Sequence, residues 1–135
     1  MSCEIYLQSD SRNLDVSFNH AAFSQILERA SSQAARAGHS KLSDDFKFAI
    51  RMRELYFWDV SDLDRKFFIN VLNEISEDST FFSWIDQLDK DPEIVYQYSN
   101  GTNACPTNPR EAMKYACFQS VRRLIENLNK QMIEK

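Results

Sequence analysis

Apolar residues recur at three- and four-residue steps along most of the chain, the spacing of one helical face. Phe18, Ala22, Phe23, Ile26, Leu27, Ala30 and Ala34 form the first such stripe. It predicts a helix from Asn19 to Ala37, with Asn19 as N-cap and Gly38 as the stop. Ser43 is the expected cap of a second helix, with Asp44 and Asp45 in its first turn. That helix is read through Phe46, Phe48, Ala49, Ile50, Met52, Leu55 and Tyr56 to Phe57 or Trp58. Its apolar residues lie on more than one side, which marks it as the central, most buried helix.

Ser61-Asp62-Leu63-Asp64 is a capping-box variant. It opens a third helix carrying Phe67, Phe68, Val71, Leu72 and Ile75 and ending near Ser76. Ser79 or Thr80 then caps a shorter helix with Phe81, Phe82, Trp84, Ile85 and Leu88 on its apolar side. Pro92 is expected to open a further turn through Tyr96. Residues 99–108 are polar and contain Gly101 and Pro106, so they read as a loop. Asn108-Pro109-Arg110-Glu111 is a strong start for a last helix that runs almost to the end. Only the first residues alternate, Cys3, Ile5 and Leu7 against Glu4, Tyr6 and Gln8, as a short strand or an irregular arm would.

Composition narrows the architecture. The 135 residues suit one domain, and 43% are hydrophobic, which excludes a disordered chain. Two glycines and three prolines are too few for the many turns of a β-sandwich or barrel. Two glycines also cannot build a Gly-rich phosphate loop. The expected fold is all-α: residues 1–135 as a single irregular bundle of five or six helices, with a short N-terminal strand or arm.

Charge adds a second feature. The net charge is −4, and residues 1–58 are balanced, with seven acids and seven bases. Residues 59–93 carry ten acids against three bases. The acids are Asp59, Asp62, Asp64, Glu74, Glu77, Asp78, Asp86, Asp89, Asp91 and Glu93. Residues 94–135 carry six bases and three acids. The acidic stretch is either a solvated face or a surface that steers a basic partner.

No motif points to catalysis. His20 and His39 belong to no metal-binding spacing, and Asp86, Asp89 and Asp91 lack the glycine of a calcium loop. Neither metal nor cofactor is expected. The odd number of cysteines, Cys3, Cys105 and Cys117, favours a reducing compartment over a disulfide framework. A cysteine enzyme using Cys105 or Cys117 requires a neighbouring base that sequence does not place. The first residues lack the basic and apolar regions of a signal peptide, and no apolar run could span a bilayer, so the expectation is a cytoplasmic protein with no membrane contact. Direct nucleic-acid binding is disfavoured by an isoelectric point near 5.2.

Aromatic density supplies the last clue. Tyr56-Phe57-Trp58 runs into Asp59, and Phe81-Phe82-Ser83-Trp84 precedes Asp86. Adjacent helical residues cannot all face one core, so part of each group is exposed. Trp58 and Trp84 are the candidate anchors within the acidic surface, which suits a desolvated hot spot with charge around it. In size, acidity and the aromatic acidic stretch Tyr56–Glu93, the chain resembles bacterial immunity proteins of colicin-type and contact-dependent growth inhibition systems. That resemblance implies a non-enzymatic inhibitor that binds a basic toxin domain, a nuclease in many cases. The alternative is a helical regulatory or adaptor module whose partner is no toxin.

Overall fold

The computed structural model describes residues 2–93, 96–97, 100–101, 103–104 and 107–133. It is a mixed α/β structure, not the all-α bundle that the apolar stripes suggest. Strand β1 (Ser2–Tyr6) leads to β2 (Val16–Asn19), then helices α1 (His20–Arg36) and α2 (Ser40–Met52), strand β3 (Glu54–Tyr56) and helix α3 (Asp62–Glu77). A 3-10 turn (Ser83–Gln87), two-residue strands β4 (Tyr96–Gln97) and β5 (Asn103–Ala104), and helix α4 (Pro109–Ile133) complete the order.

The alternating N-terminal residues form the middle strand of a three-stranded sheet in the order β2-β1-β3. β2 pairs antiparallel with β1, and β3 pairs parallel to it, with Tyr6 opposite Tyr56. Parallel neighbours need a long crossover, here α1 and α2. Such a crossover uses helix ends instead of Gly and Pro turns, so the turn-poor composition did not exclude this sheet. Cys3, Ile5, Leu7, Val16, Phe18, Leu55 and Phe57 turn inward and join the helices' stripes in one contiguous core. Glu4, Tyr6, Ser17, Glu54 and Tyr56 alternate to the other face, and none of them is buried.

Three expected helix starts hold. Asn19 caps α1 by accepting from the Ala22 N–H at 2.8 Å. Ser61 caps α3 through the Asp64 N–H at 3.1 Å, and Asn108 accepts from Glu111 N–H at 3.3 Å in front of Pro109. α1 ends at Arg36, with Ala37 as its C-cap, and Gly38 follows with a φ of 82°, in the left-handed region that glycine enters without strain.

The second helix differs. It starts at Ser40, so Ser43 is not its cap but a buried residue inside it. The Ser43 and Ser31 hydroxyls lie 2.9 Å apart, and each donates to the other residue's backbone, locking α2 onto α1. α2 stops at Met52 because Arg53 turns into the left-handed region at φ 63°. The chain then enters β3, so Leu55–Trp58 are not helical. Nor is α2 the most buried helix, since Phe48 and Met52 are exposed. The expected short helix after Thr80 is a 3-10 turn, and residues 91–93 are not helical. Ile94, Val95 and Ser99 lie outside the described residues, and the loop read at 99–108 contributes β5.

Candidate functional site

The exposed sheet face carries the most distinctive surface. Glu54-Leu55-Tyr56-Phe57-Trp58 alternates through β3 and just beyond it, with Leu55 and Phe57 buried while Tyr56 and Trp58 face out. Tyr56 is 54% exposed and Trp58 37%. The register of β1 and β3 stacks Tyr6 on Tyr56 at 5.1 Å and 11°. Trp58 meets Tyr56 edge-on, also at 5.1 Å. The Arg12 guanidinium lies over the Tyr6 ring at 5.8 Å. The Tyr56 hydroxyl donates to Glu54, and that bond raises the phenol's pKa above its ordinary value.

The loop between β1 and β2 forms the rim. Asp15 closes it, its Oδ1 accepting from Leu7 N–H at 3.4 Å. Asn127 of α4 holds it from behind through Leu14 O at 3.0 Å. Two adjoining open hollows of about 610 and 450 Å³ lie between this loop and the aromatic row, sharing Gln8, Ser9, Asp10 and Trp58. These volumes fall in the range of small-ligand clefts, ~300–1,000 Å³. Asp10, Asp15, Glu54 and Asp59 line them with Arg12 and Arg65, so the surface is acidic overall.

Two buried side chains of the helices line the second hollow. Arg65 donates from Nη1 to Asp62 at 2.9 Å and from Nη2 to Trp58 O at 3.1 Å. Gln131 donates from Nε2 to Leu7 O at 2.7 Å and Phe57 O at 3.1 Å, tying together the ends of the two strands. Arg65 Nε, Gln131 Oε1, Gln8 Oε1 and Asp15 Oδ2 are buried and lack a partner. Leaving such a group unpaired costs about 1–3 kcal/mol.

The acids expected to share a surface separate into groups. Asp59, Asp62 and Asp64 stand at the N-terminal end of α3, beside Trp58. Glu74, Glu77 and Asp78 lie at its other end, about 20 Å along the axis. Glu74 accepts from Gln33 at 2.9 Å. Asp78 accepts from the Thr80 hydroxyl and N–H, which lowers its pKa. Asp86 pairs with Lys114 at 3.0 Å and Asp91 with Arg110 at 2.9 Å, so bases of α4 meet part of the acidic stretch. Asp89 and Glu93 are exposed. Arg110 also donates to Ile85 O and Leu88 O, clamping the 3-10 turn. Trp84 is half-buried, and its indole N–H donates to Gln25 at 2.6 Å, which gives it a structural task.

Of the twelve expected contact residues, Trp58 and Asp59 line the aromatic hollows, and Asp62 stands behind them through Arg65. Sequence reasoning missed Tyr6, Gln8, Asp15, Tyr56, Arg65 and Gln131. A signal existed for Tyr6 in the period-two alternation of Cys3, Ile5 and Leu7 against Glu4, Tyr6 and Gln8. None existed for Gln131, which reaches a site 124 residues away in the chain.

Among the described residues, no group of three or more His, Cys, Asp or Glu side chains is placed to hold a metal ion. No helix is long and apolar enough to cross a membrane. Cys105 lies outside the described residues. Cys117 is buried on α4, and burial pushes its thiol up to about 11 from an ordinary 9.0. The folded state therefore favours the neutral thiol. Its contribution to stability is complete below pH 9 and is lost between pH 9 and about 11, as the unfolded chain's thiol ionises first. Urea titrations should show a smaller fall in stability over that window for Cys117→Ala than for the wild type. Equal falls would show that Cys117 is not desolvated.

The chain matches no protein-family model, and no curated protein or solved structure is significantly similar to it.

Proposed function

We propose that this protein acts by binding, as an immunity protein that docks on a basic toxin domain through the open sheet face and the rim of the β1–β2 loop. One observation carries the reading: Tyr6, Tyr56 and Trp58 form a continuous aromatic row on that face, with Asp10, Asp15, Glu54 and Asp59 around it. Aromatic side chains give large contact area at low entropic cost, and they dominate binding hot spots. Acids around them raise the association rate of a basic partner. A nuclease is basic where it grips phosphate, so it meets this chemistry. Asp86 and Asp91 already have bases of this chain beside them, so they are not assigned to the contact.

Co-expression with the product of the adjacent upstream reading frame tests the proposal. That product alone should arrest growth, and this protein should restore it. With purified proteins, association should slow steeply as salt rises, and Asp10→Lys with Asp59→Lys should slow it further. No rescue, or a rate indifferent to salt and to the reversal, overturns the reading.

A further inference from the structure

The outer edge of β3 is open. The sheet order β2-β1-β3 gives this strand a neighbour on one side only. Glu4 N–H donates to Arg53 O at 3.3 Å, and Phe57 N–H donates to Tyr6 O at 2.8 Å. The backbone groups of Arg53, Leu55 and Phe57 therefore point to β1, and those of the alternate residues, Glu54 and Tyr56, point to the other edge. Among the described residues, no hydrogen bond reaches the N–H or C=O of Glu54 or Tyr56. An edge in this state offers donors and acceptors to another chain.

The space beside the edge is open as well. A hollow of about 240 Å³ touches Glu54, Leu55, Tyr56 and Phe57 in turn. Side chains of a strand alternate between its faces, so a hollow that meets four successive residues lies along the strand's edge. Its far wall is one face of α2, with Lys41, Asp45, Phe48 and Ala49 at helical spacing. Phe48 is exposed on that wall, and Tyr56 is exposed on the opposite side.

Charge decides what fits. Asp45, Glu54 and Asp59 line the hollow against Lys41 alone, and Lys41 is already bonded to Asp45 at 3.1 Å. A second copy of this chain would bring like charges together across the edge, which is destabilising. A basic segment meets opposite charge there instead.

We propose that β3 is a docking edge: an extended, lysine- or arginine-bearing segment of the partner pairs with Glu54 and Tyr56 and becomes a further strand of the sheet. Its side chains alternate as those of the sheet do. One set lies beside Glu54 and Tyr56, where its bases are met, and the other turns toward Phe48 and Val60, where apolar residues are covered. The proposal rests on the docking reading above and adds the backbone pairing by which the partner is held.

The probe is a short capped peptide of alternating lysine and valine. It is titrated into isotope-labelled protein, and amide hydrogen exchange is followed by NMR. In the free protein, the N–H groups of Glu54 and Tyr56 should exchange faster than that of Phe57, which Tyr6 O holds. At saturation they should slow by at least about fivefold, the worth of one net hydrogen bond, while Phe57 changes little. The same peptide with glutamate in place of lysine should bind at least about tenfold more weakly. Tyr56→Pro deletes an N–H that takes no part in the pairing with β1, a place where an edge strand tolerates proline. It should bind the lysine peptide at least about fivefold more weakly than Tyr56→Ala, which loses the ring but keeps the N–H. If Tyr56→Pro does not fold, the exchange measurement on the wild type decides alone. Unchanged exchange at Glu54 and Tyr56, with shifts confined to side chains such as the Trp58 indole, overturns the added strand. So does equal binding of the lysine and glutamate peptides, and so does the absence of binding. Protection of the same two amides without peptide, in a protein that sediments as a dimer, gives the edge to a second copy and overturns the basic occupant. The docking reading is judged separately on the complex with the full partner. A complex weakened by Tyr56→Ala in which both amides stay unprotected sinks the added strand alone. Peptide pairing at the edge, with a partner complex indifferent to Tyr56→Ala, sinks the docking reading.

Discussion

Phe68→Ala is expected to lower the unfolding free energy by about 4 kcal/mol, the middle of the range for truncating a buried phenylalanine. Phe68 is 0% exposed and belongs to a cluster of three rings from three successive elements. Its ring sits 5.1 Å from Phe46 of α2 and 5.2 Å from Phe57, just past the end of β3. Phe46 and Phe57 are themselves 6.1 Å apart and nearly parallel. Removing Phe68 takes away two ring contacts and opens a cavity where α2, α3 and the sheet meet. A loss of this size is a large part of the ~5–15 kcal/mol that holds a typical domain together. Phe48→Ala is the control, because Phe48 is 56% exposed on α2, and its cost should stay below about 1 kcal/mol. Urea unfolding of the two variants decides the matter. Similar costs would contradict the packing of Phe68 against Phe46 and Phe57.

The second large effect falls on binding. Tyr56→Ala should weaken the complex with the basic partner by about 2 kcal/mol or more, roughly thirtyfold, while changing stability by less than about 1 kcal/mol. Tyr56 is the middle ring of the aromatic row, touching Tyr6 on one side and Trp58 on the other, and it is half in solvent before any partner arrives. Trp84→Phe should do the reverse. It keeps most of the apolar contact but deletes the indole bond to Gln25, so it should cost about 1 kcal/mol of stability and leave affinity unchanged. Calorimetric titration beside denaturant unfolding separates the two variants. An affinity loss for Trp84→Phe equal to that for Tyr56→Ala would place the contact on the α1 side, away from the sheet.

Charge reversal needs the same discrimination. Lysine in place of Asp62 would stand beside the buried Arg65, and lysine in place of Asp86 would stand beside Lys114. Either change disturbs an internal ion pair before it tests a partner. Asp10 and Asp59 are exposed acids on the rim and make the cleaner reporters.

The elements that the chain announces are those whose determinants lie within a few residues of one another. Asn19, Ser61 and Asn108 each cap a helix by accepting from an N–H three residues on, so the cap and its beneficiary can be read in a single window. The apolar stripes of α1, α3 and α4 repeat over several turns and are equally local. Ser43 shows the limit. By type and spacing it is a good cap, but Ser31 of α1 offers it a buried hydroxyl and a carbonyl, and the helix starts three residues earlier. β3 is harder still. Three residues are too few for periodicity to separate a strand from the end of a helix, and its hydrogen bonds go to β1, about fifty residues earlier.

Sequence alone determined three of the helix caps, the helical stripes and the presence of an acidic stretch. Each of these comes from short-range sterics, local hydrogen bonding or a simple count of charges. Tertiary structure alone decided that the chain builds a sheet, that Tyr56 stands opposite Tyr6, and that Gln131 and Arg65 reach one hollow from two helices. It also decided which acids keep bases of this chain beside them, because Arg110 and Lys114 lie outside the acidic stretch in sequence but beside it in space. Strand pairing and ion pairing depend on distance in space, and the order of residues along the chain does not reveal that distance until the core has closed.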